Sequence, residues 1–142
     1  MGRALIVAGD IGGTKTYLAA FDPNAQAFSP VVERRYETIL YASAGALLAA
    51  FTAETDTHAA HVVLGVPGPV RQLPVRAVNL PWFIDPDEIS TALGGAEVHL
   101  LNDLQATSYG TLALTTDDLC PLNKGSEDKE GNIAVVAAGT GL

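Results

Sequence analysis

Between two apolar runs near the N-terminus stands the sequence Gly9-Asp10-Ile11-Gly12-Gly13-Thr14-Lys15-Thr16. The run before it, Arg3 to Ala8, is short, apolar and rich in β-branched residues, and reads as a buried strand. The run after it, Tyr17 to Phe21, is apolar again and stops at Asp22-Pro23-Asn24. The simplest structure is strand, glycine turn, strand. Two familiar glycine signatures do not fit. A P-loop needs a second glycine just before Lys-Ser/Thr and a helix after it; here Thr14 precedes Lys15 and a strand follows. A dinucleotide G-x-G-x-x-G fails because the glycines fall at 9, 12 and 13. A hairpin remains whose backbone N–H groups face an anion, with glycines allowing positive φ and close approach. Thr14 and Thr16 offer hydroxyls and Lys15 a positive charge. A plain tight hairpin uses the same residues, so both readings stay open on the local pattern.

Asp10 sharpens the choice. A carboxylate beside a phosphate loop repels phosphate unless a cation lies between, which points to Mg²⁺ held largely through water. Further along, Asn102-Asp103 follows a short apolar strand, Glu97 to Leu101, at the point where a helix can begin. In α/β folds the carboxyl ends of strands carry ligands. Asp103 there suits a general base, and Asn102, both donor and acceptor, suits a polyhydroxy ligand. Helix capping explains the same pair and also stays open.

The intervening chain mixes periods. Val31 to Ile39 partly alternates and reads as a third strand, while Ser43 to Thr55 carries Leu47, Leu48 and Phe51 at helical spacing. Val62 to Val66 is a buried-strand pattern, and Pro67-Gly68-Pro69 is a rigid turn. Val70 to Asn79 fits a hairpin edge or a loop. Asp85-Pro86-Asp87-Glu88 predicts a helix start with a capping box, ending near Gly94-Gly95. Leu104 to Leu114 fits a helix interrupted by Gly110, Lys124 to Asn132 a polar loop, and Ile133 to Ala137 a last buried strand. Ala4 to Thr14 and Ile133 to Thr140 echo each other, each an apolar strand running into Gly and Thr. The mixture predicts an α/β class with helices covering a sheet.

Composition narrows the partners. The 142 residues are 48% apolar and 17% charged, enough for one domain that buries roughly two-thirds of its unfolded surface. The net charge of −8 argues against nucleic acid. No apolar run approaches the roughly 20 residues of a membrane span, and the N-terminus does not read as a signal peptide. The single cysteine, Cys120, excludes an internal disulfide and a multi-cysteine metal site; it fits a reducing, cytoplasmic setting and, beside Pro121, a structural role. His58, His61 and His99 show no metal-ligand spacing, and Trp82 reads as a core or loop anchor.

The motifs together resemble a known family. Gly9 to Thr16 resembles the first phosphate motif of the sugar kinase, actin and Hsp70 superfamily. Gly65 to Val70, Asn79 to Trp82, Leu100 to Asp103 and Ala138 to Leu142 follow in the order of bacterial-type glucokinases, with the ROK sugar kinases next. The resemblance covers essentially the whole chain. It implies a ribonuclease H-like, actin-like α/β domain with a mixed sheet flanked by helices. It implies phosphorylation of the glucose 6-hydroxyl by ATP. By match, Gly9, Asp10, Ile11, Gly12, Gly13, Thr14 and Lys15 would bind ATP phosphates, with Asp10 near Mg²⁺. Gly139, Thr140 and Gly141 would form the second phosphate loop. Asp103 would be the catalytic base and, with Asn102, Asn79 and Gly68, would bind the sugar.

Length is the departure: the family's sugar-binding Glu and His motifs and its adenosine pocket match nothing here. The expectation is the small N-terminal domain of a two-domain sugar kinase, carrying half a cleft and little turnover alone. Glucose or a related hexose is the expected partner, with no nucleic acid and no membrane, and a homodimer of the full-length protein stays open. A sugar-sensing ROK-type binding module and an actin- or Hsp70-like ATPase share the core. The first would need a helix-turn-helix ahead of the first strand, and the second has no need of Asn102-Asp103 facing a sugar.

Overall fold

The computed structural model describes residues 4–25, 28–77, 79–123, 125–126 and 130–137. The hairpin forms as read: β1 (Ala4–Ile11) and β2 (Lys15–Phe21) are antiparallel, pairing Asp10 with Tyr17 and Ile11 with Thr16. On its outer side β3 (Val32–Glu37) joins β2 antiparallel. On the other side β4 (His58–Val66) pairs parallel with β1. This strand starts four residues earlier than its apolar signal, because parallel pairing to β1 carries the polar His58 and His61 into the sheet. Two short strands, β5 (Val75–Arg76) and β6 (Phe83–Ile84), make a separate antiparallel pair, which resolves the ambiguous 70–79 stretch. β7 (Glu97–Asn102) then pairs parallel with β4 and completes a mixed five-stranded sheet of order β3-β2-β1-β4-β7.

Helices pack mainly on one face. α1 (Ala44–Thr55) is capped by Ser43, whose side chain accepts from the Ala46 N–H, and ends at Asp56 in the left-handed region. α2 (Pro86–Ala92) is capped by Asp85, accepting from the Asp87 N–H, with proline at its first position as expected. Leu47, Leu48 and Phe51 of α1 and Ile89 of α2 are buried with Val7, Ile11, Leu18, Val62, Leu64 and Val66 of the sheet. Strand alternation puts Val7 and Ile11 in this core and turns Asp10 to the opposite face. That face is covered at one end by α3 (Asp103–Gly110), which packs on β4 and β7 and continues into a 3-10 turn, Thr111–Ala113.

Three expectations need correction. Val31 to Ile39 is not one strand: it stops at Glu37 and becomes a 3-10 turn, Thr38–Leu40, because Thr38 turns inward to a buried partner. Ile133 to Ala137 is no strand; Ile133 and Val136 are 78% and 79% exposed, and nothing among the described residues pairs with them. Cys120 is exposed, so it contributes no packing. Trp82 does anchor its loop: partly buried against the core, it donates from Nε1 to the Tyr41 carbonyl at 2.9 Å.

Candidate active site

Parallel strands run their carboxyl ends to one edge, so the ends of β1, β4 and β7 bring distant residues together. Asp10 is the penultimate residue of β1, Gly65 and Pro67 flank the end of β4, and Asp103 follows β7. Together with Gly9, Ile11, Gly12, Ala106 and Thr107 they line one cavity of about 460 Å³. Asp10 is exposed at its mouth, yet partial burial of its carboxyl, and then the charge of Asp103, push its pKa above the ordinary aspartate value. Two carboxylates facing one space repel, and a divalent cation between them relieves that repulsion. Two oxygen ligands with room for water suit Mg²⁺, which keeps much of its hydration.

Space, rather than positive φ, explains the glycines of the turn. None of Gly9, Gly12 and Gly13 lies in the left-handed region. A Cβ on Gly9 would collide with Leu18 and Leu64, and one on Gly13 would sit 2.6 Å from the Cβ of Asn79. The Gly12 N–H donates to the Lys15 carbonyl at 3.0 Å and closes the hairpin. Among the described residues the N–H groups of Gly13 and Thr14 find no intramolecular acceptor. An unpaired pair of backbone donors at a hairpin tip is the chemistry an anion uses. Lys15 is exposed beside them.

Asn102 does two jobs at once. Its Oδ1 accepts from the Leu104 N–H at 3.1 Å, capping α3, while its Nδ2 donates to the Gly68 carbonyl at 3.0 Å. Gly68 has φ +130, a conformation open to glycine, so this position of the turn is one where φ does decide the residue. The side chain thus ties the turn after β4 to the start of α3, and one N–H of its amide is left over for a ligand. Asp103 accepts from the Leu104 N–H at 2.8 Å in the first helical turn, where the helix dipole favours a carboxylate. Capping and ligand chemistry are therefore compatible here.

The structure does not bring every candidate to the cavity wall. Gly13, Thr14, Lys15, Gly68, Asn79 and Asn102 do not line it, and Asn79 is exposed against Gly13. Gly139, Thr140 and Gly141 lie outside the described residues. Conversely Gly65, Pro67, Ala106 and Thr107 line it without having been singled out as site residues. Gly65 is the informative one: a Cβ there would lie 3.1 Å from the Ala106 Cβ and 3.8 Å from Asp10 Oδ1. Its signal in the sequence was a glycine inside an apolar strand, which marks close approach by something else. The histidines form no centre: His61 and His99 both face Glu97 on the exposed sheet surface, and no group of three metal-ligating residues occurs among the described residues.

A mixed sheet with a glycine hairpin at one strand end and an aspartate at another defines an α/β domain with a candidate site at one edge. Its fold is shared with solved sugar kinases. A glucokinase from an Antarctic psychrotroph superposes with a TM-score of 0.75 at 22% identity, covering 88% of this chain and 40% of that one. A ROK family glucokinase from Streptomyces griseus, solved with glucose and AMPPNP, gives 0.60 at 22% identity, covering 78% and 36%. The glucokinase family model matches residues 7–142. Among curated relatives, glucokinases from Synechocystis and Nostoc punctiforme are 35% and 31% identical, over 96% and 97% of this chain. The chain belongs to the glucokinase family and has the ribonuclease H-like, actin-like fold of its sugar kinases. It spans 41% of the length of these two relatives.

Proposed function

We propose that a full-length protein carrying these residues transfers the γ-phosphoryl group of ATP to the 6-hydroxyl of glucose, and that this chain is its smaller N-terminal domain. The single observation that supports the reading is the shared cavity of Asp10 and Asp103 at one sheet edge. Asp103, at the start of α3, accepts the proton of the attacking hydroxyl and so raises its nucleophilicity. Asn102 gives its remaining amide N–H to a sugar hydroxyl, while Asn79 and Gly68 frame the same side. The N–H groups of Gly13 and Thr14, with Lys15 beside them, hold terminal phosphate oxygens, and Gly139 to Gly141 supply a second phosphate loop. Asp10 would hold Mg²⁺ through water, and that ion would neutralise charge on the transferring phosphates. Glucose or a related hexose and ATP are the substrates. The site belongs to the first step of sugar breakdown, in the cytoplasm, with homodimerisation open to the full-length protein.

The test is calorimetric and kinetic. Wild-type full-length protein should bind glucose and turn over Mg-ATP. Asp103→Asn should lower kcat by about 10²- to 10⁴-fold while glucose binding persists. Near-normal kcat in that variant removes Asp103 from the role of base.

A further inference from the structure

Thr16 and Thr38 are the polar residues buried among the described ones, both fully so. Neither touches the cavity. Their Oγ1 atoms are 2.9 Å apart, a hydroxyl-to-hydroxyl hydrogen bond across 22 residues. Buried hydroxyls are tolerated when paired, so this pair fixes the start of β2 to the residue where β3 leaves the sheet. The backbone adds a second grip. Beyond the last β2–β3 pair, Lys15 with Glu37, the Thr38 N–H donates to the Thr14 carbonyl at 2.9 Å. Thr38 itself cannot drift. The 3-10 turn it opens ends against Tyr41, whose carbonyl is held by Trp82, and the Tyr41 ring meets Tyr36 edge to face at 5.7 Å.

The geometry points to Thr38 as a positioning residue for the glycine turn: its hydroxyl holds Thr16, its amide holds Thr14, and together they aim the N–H groups of Gly13 and Thr14 at the terminal phosphates of a nucleoside triphosphate. The Thr14 carbonyl shares its peptide plane with the Lys15 N–H, so this bond holds one end of the turn while the Gly12 N–H on the Lys15 carbonyl holds the other, and only the two peptide units that carry the Gly13 and Thr14 N–H groups lie between. A turn held this way offers donors already in place and loses less freedom on binding. The inference rests on the proposed nucleotide role of the turn and adds a residue outside it.

The experiment uses the full-length protein. Thr38→Val keeps the shape and removes the hydroxyl; Thr38→Ser keeps the hydroxyl. Titration with Mg-AMPPNP reads binding directly, steady-state kinetics read KM for ATP and for glucose, and thermal denaturation reads stability. Thr38→Val should weaken AMPPNP binding and raise the ATP KM by about tenfold, because a turn no longer held must be ordered on binding, with the glucose KM unchanged. Thr38→Ser should restore most of it. A role in stability alone would lower Tm but leave the AMPPNP affinity and ATP KM at wild-type values, and that result overturns the inference. Should Thr38→Val fold poorly, Thr16→Val breaks the same bond from the other side and carries the same expectation. Wild-type protein that neither binds AMPPNP nor phosphorylates glucose overturns the functional reading and this inference together. Active wild type with unaltered nucleotide affinity in the valine variants overturns this inference alone.

Discussion

Two residues show how little side-chain chemistry separates holding a fold from serving a site. Asp10 is a core strand's last polar residue, turned outward by alternation, and burial with Asp103 raises its pKa. A carboxyl with a raised folded pKa is favoured in its protonated form by folding, so it supports stability at low pH and loses that support as pH rises through the shifted value. Asp10→Asn should therefore raise Tm at neutral pH while abolishing turnover, and the gain should fade on acidification below the ordinary carboxylate range. Thermal melts of both proteins across pH 3 to 8 check the sign (about 1 pH unit per step suffices). Gly13 sits under a different constraint. Alanine there drives a Cβ into Asn79, so Gly13→Ala should cost about 1–3 kcal/mol in stability and weaken nucleotide binding, measured by denaturation and titration.

At the scale of elements, the sequence carried most of the sheet. The hairpin, α1, α2, β7 and the start of α3 were legible because each has a local signal: alternation, a cap, a proline at the first helical position. Glu88 shows where local reading fails. Its spacing from Asp85 suggests a capping box, but its carboxylate caps the neighbouring helix instead. Oε2 accepts from the Gly45 N–H at 3.0 Å and Oε1 from the Ser43 hydroxyl at 2.6 Å. Gly45 has no side chain because Glu88 fills that space. Only tertiary packing of α2 on α1 reveals this. Glu88→Ala should destabilise by about 2 kcal/mol, and Glu88→Gln by less, since the amide oxygen still accepts; urea denaturation distinguishes them. The Thr38 turn was hidden for the same reason, its buried partner lying 22 residues away. In the candidate site, Asp10, Asn102 and Asp103 were legible as polar residues placed at strand ends. The lining by Gly65 and Ala106 was not, since it depends on how α3 lies across β4.

For the whole molecule, the layers place chemistry at one edge and, among the described residues, leave much of one sheet face uncovered. A hollow of about 610 Å³ lies over β1 to β3 on that face, bordered by Ala8, Tyr17, Phe21 and Arg35. Among the described residues, nothing closes the cavity holding Asp10 and Asp103 on its solvent side. Phosphoryl transfer needs positioning from both sides and exclusion of water. Purified residues 1–142 should accordingly show no glucose phosphorylation above background in a coupled assay, whereas the full-length protein should be active. Robust turnover by the short chain would show that one wall suffices.

Gly65 sets a distance. With hydrogen in place of a methyl group, β4 lets the helix that begins at Asp103 settle against the strand beside Asp10. Residue 65 therefore acts as a spacer of minimum thickness: a methyl group there would press on Ala106 and move the helix that carries Asp103 by a few tenths of an ångström away from the strand.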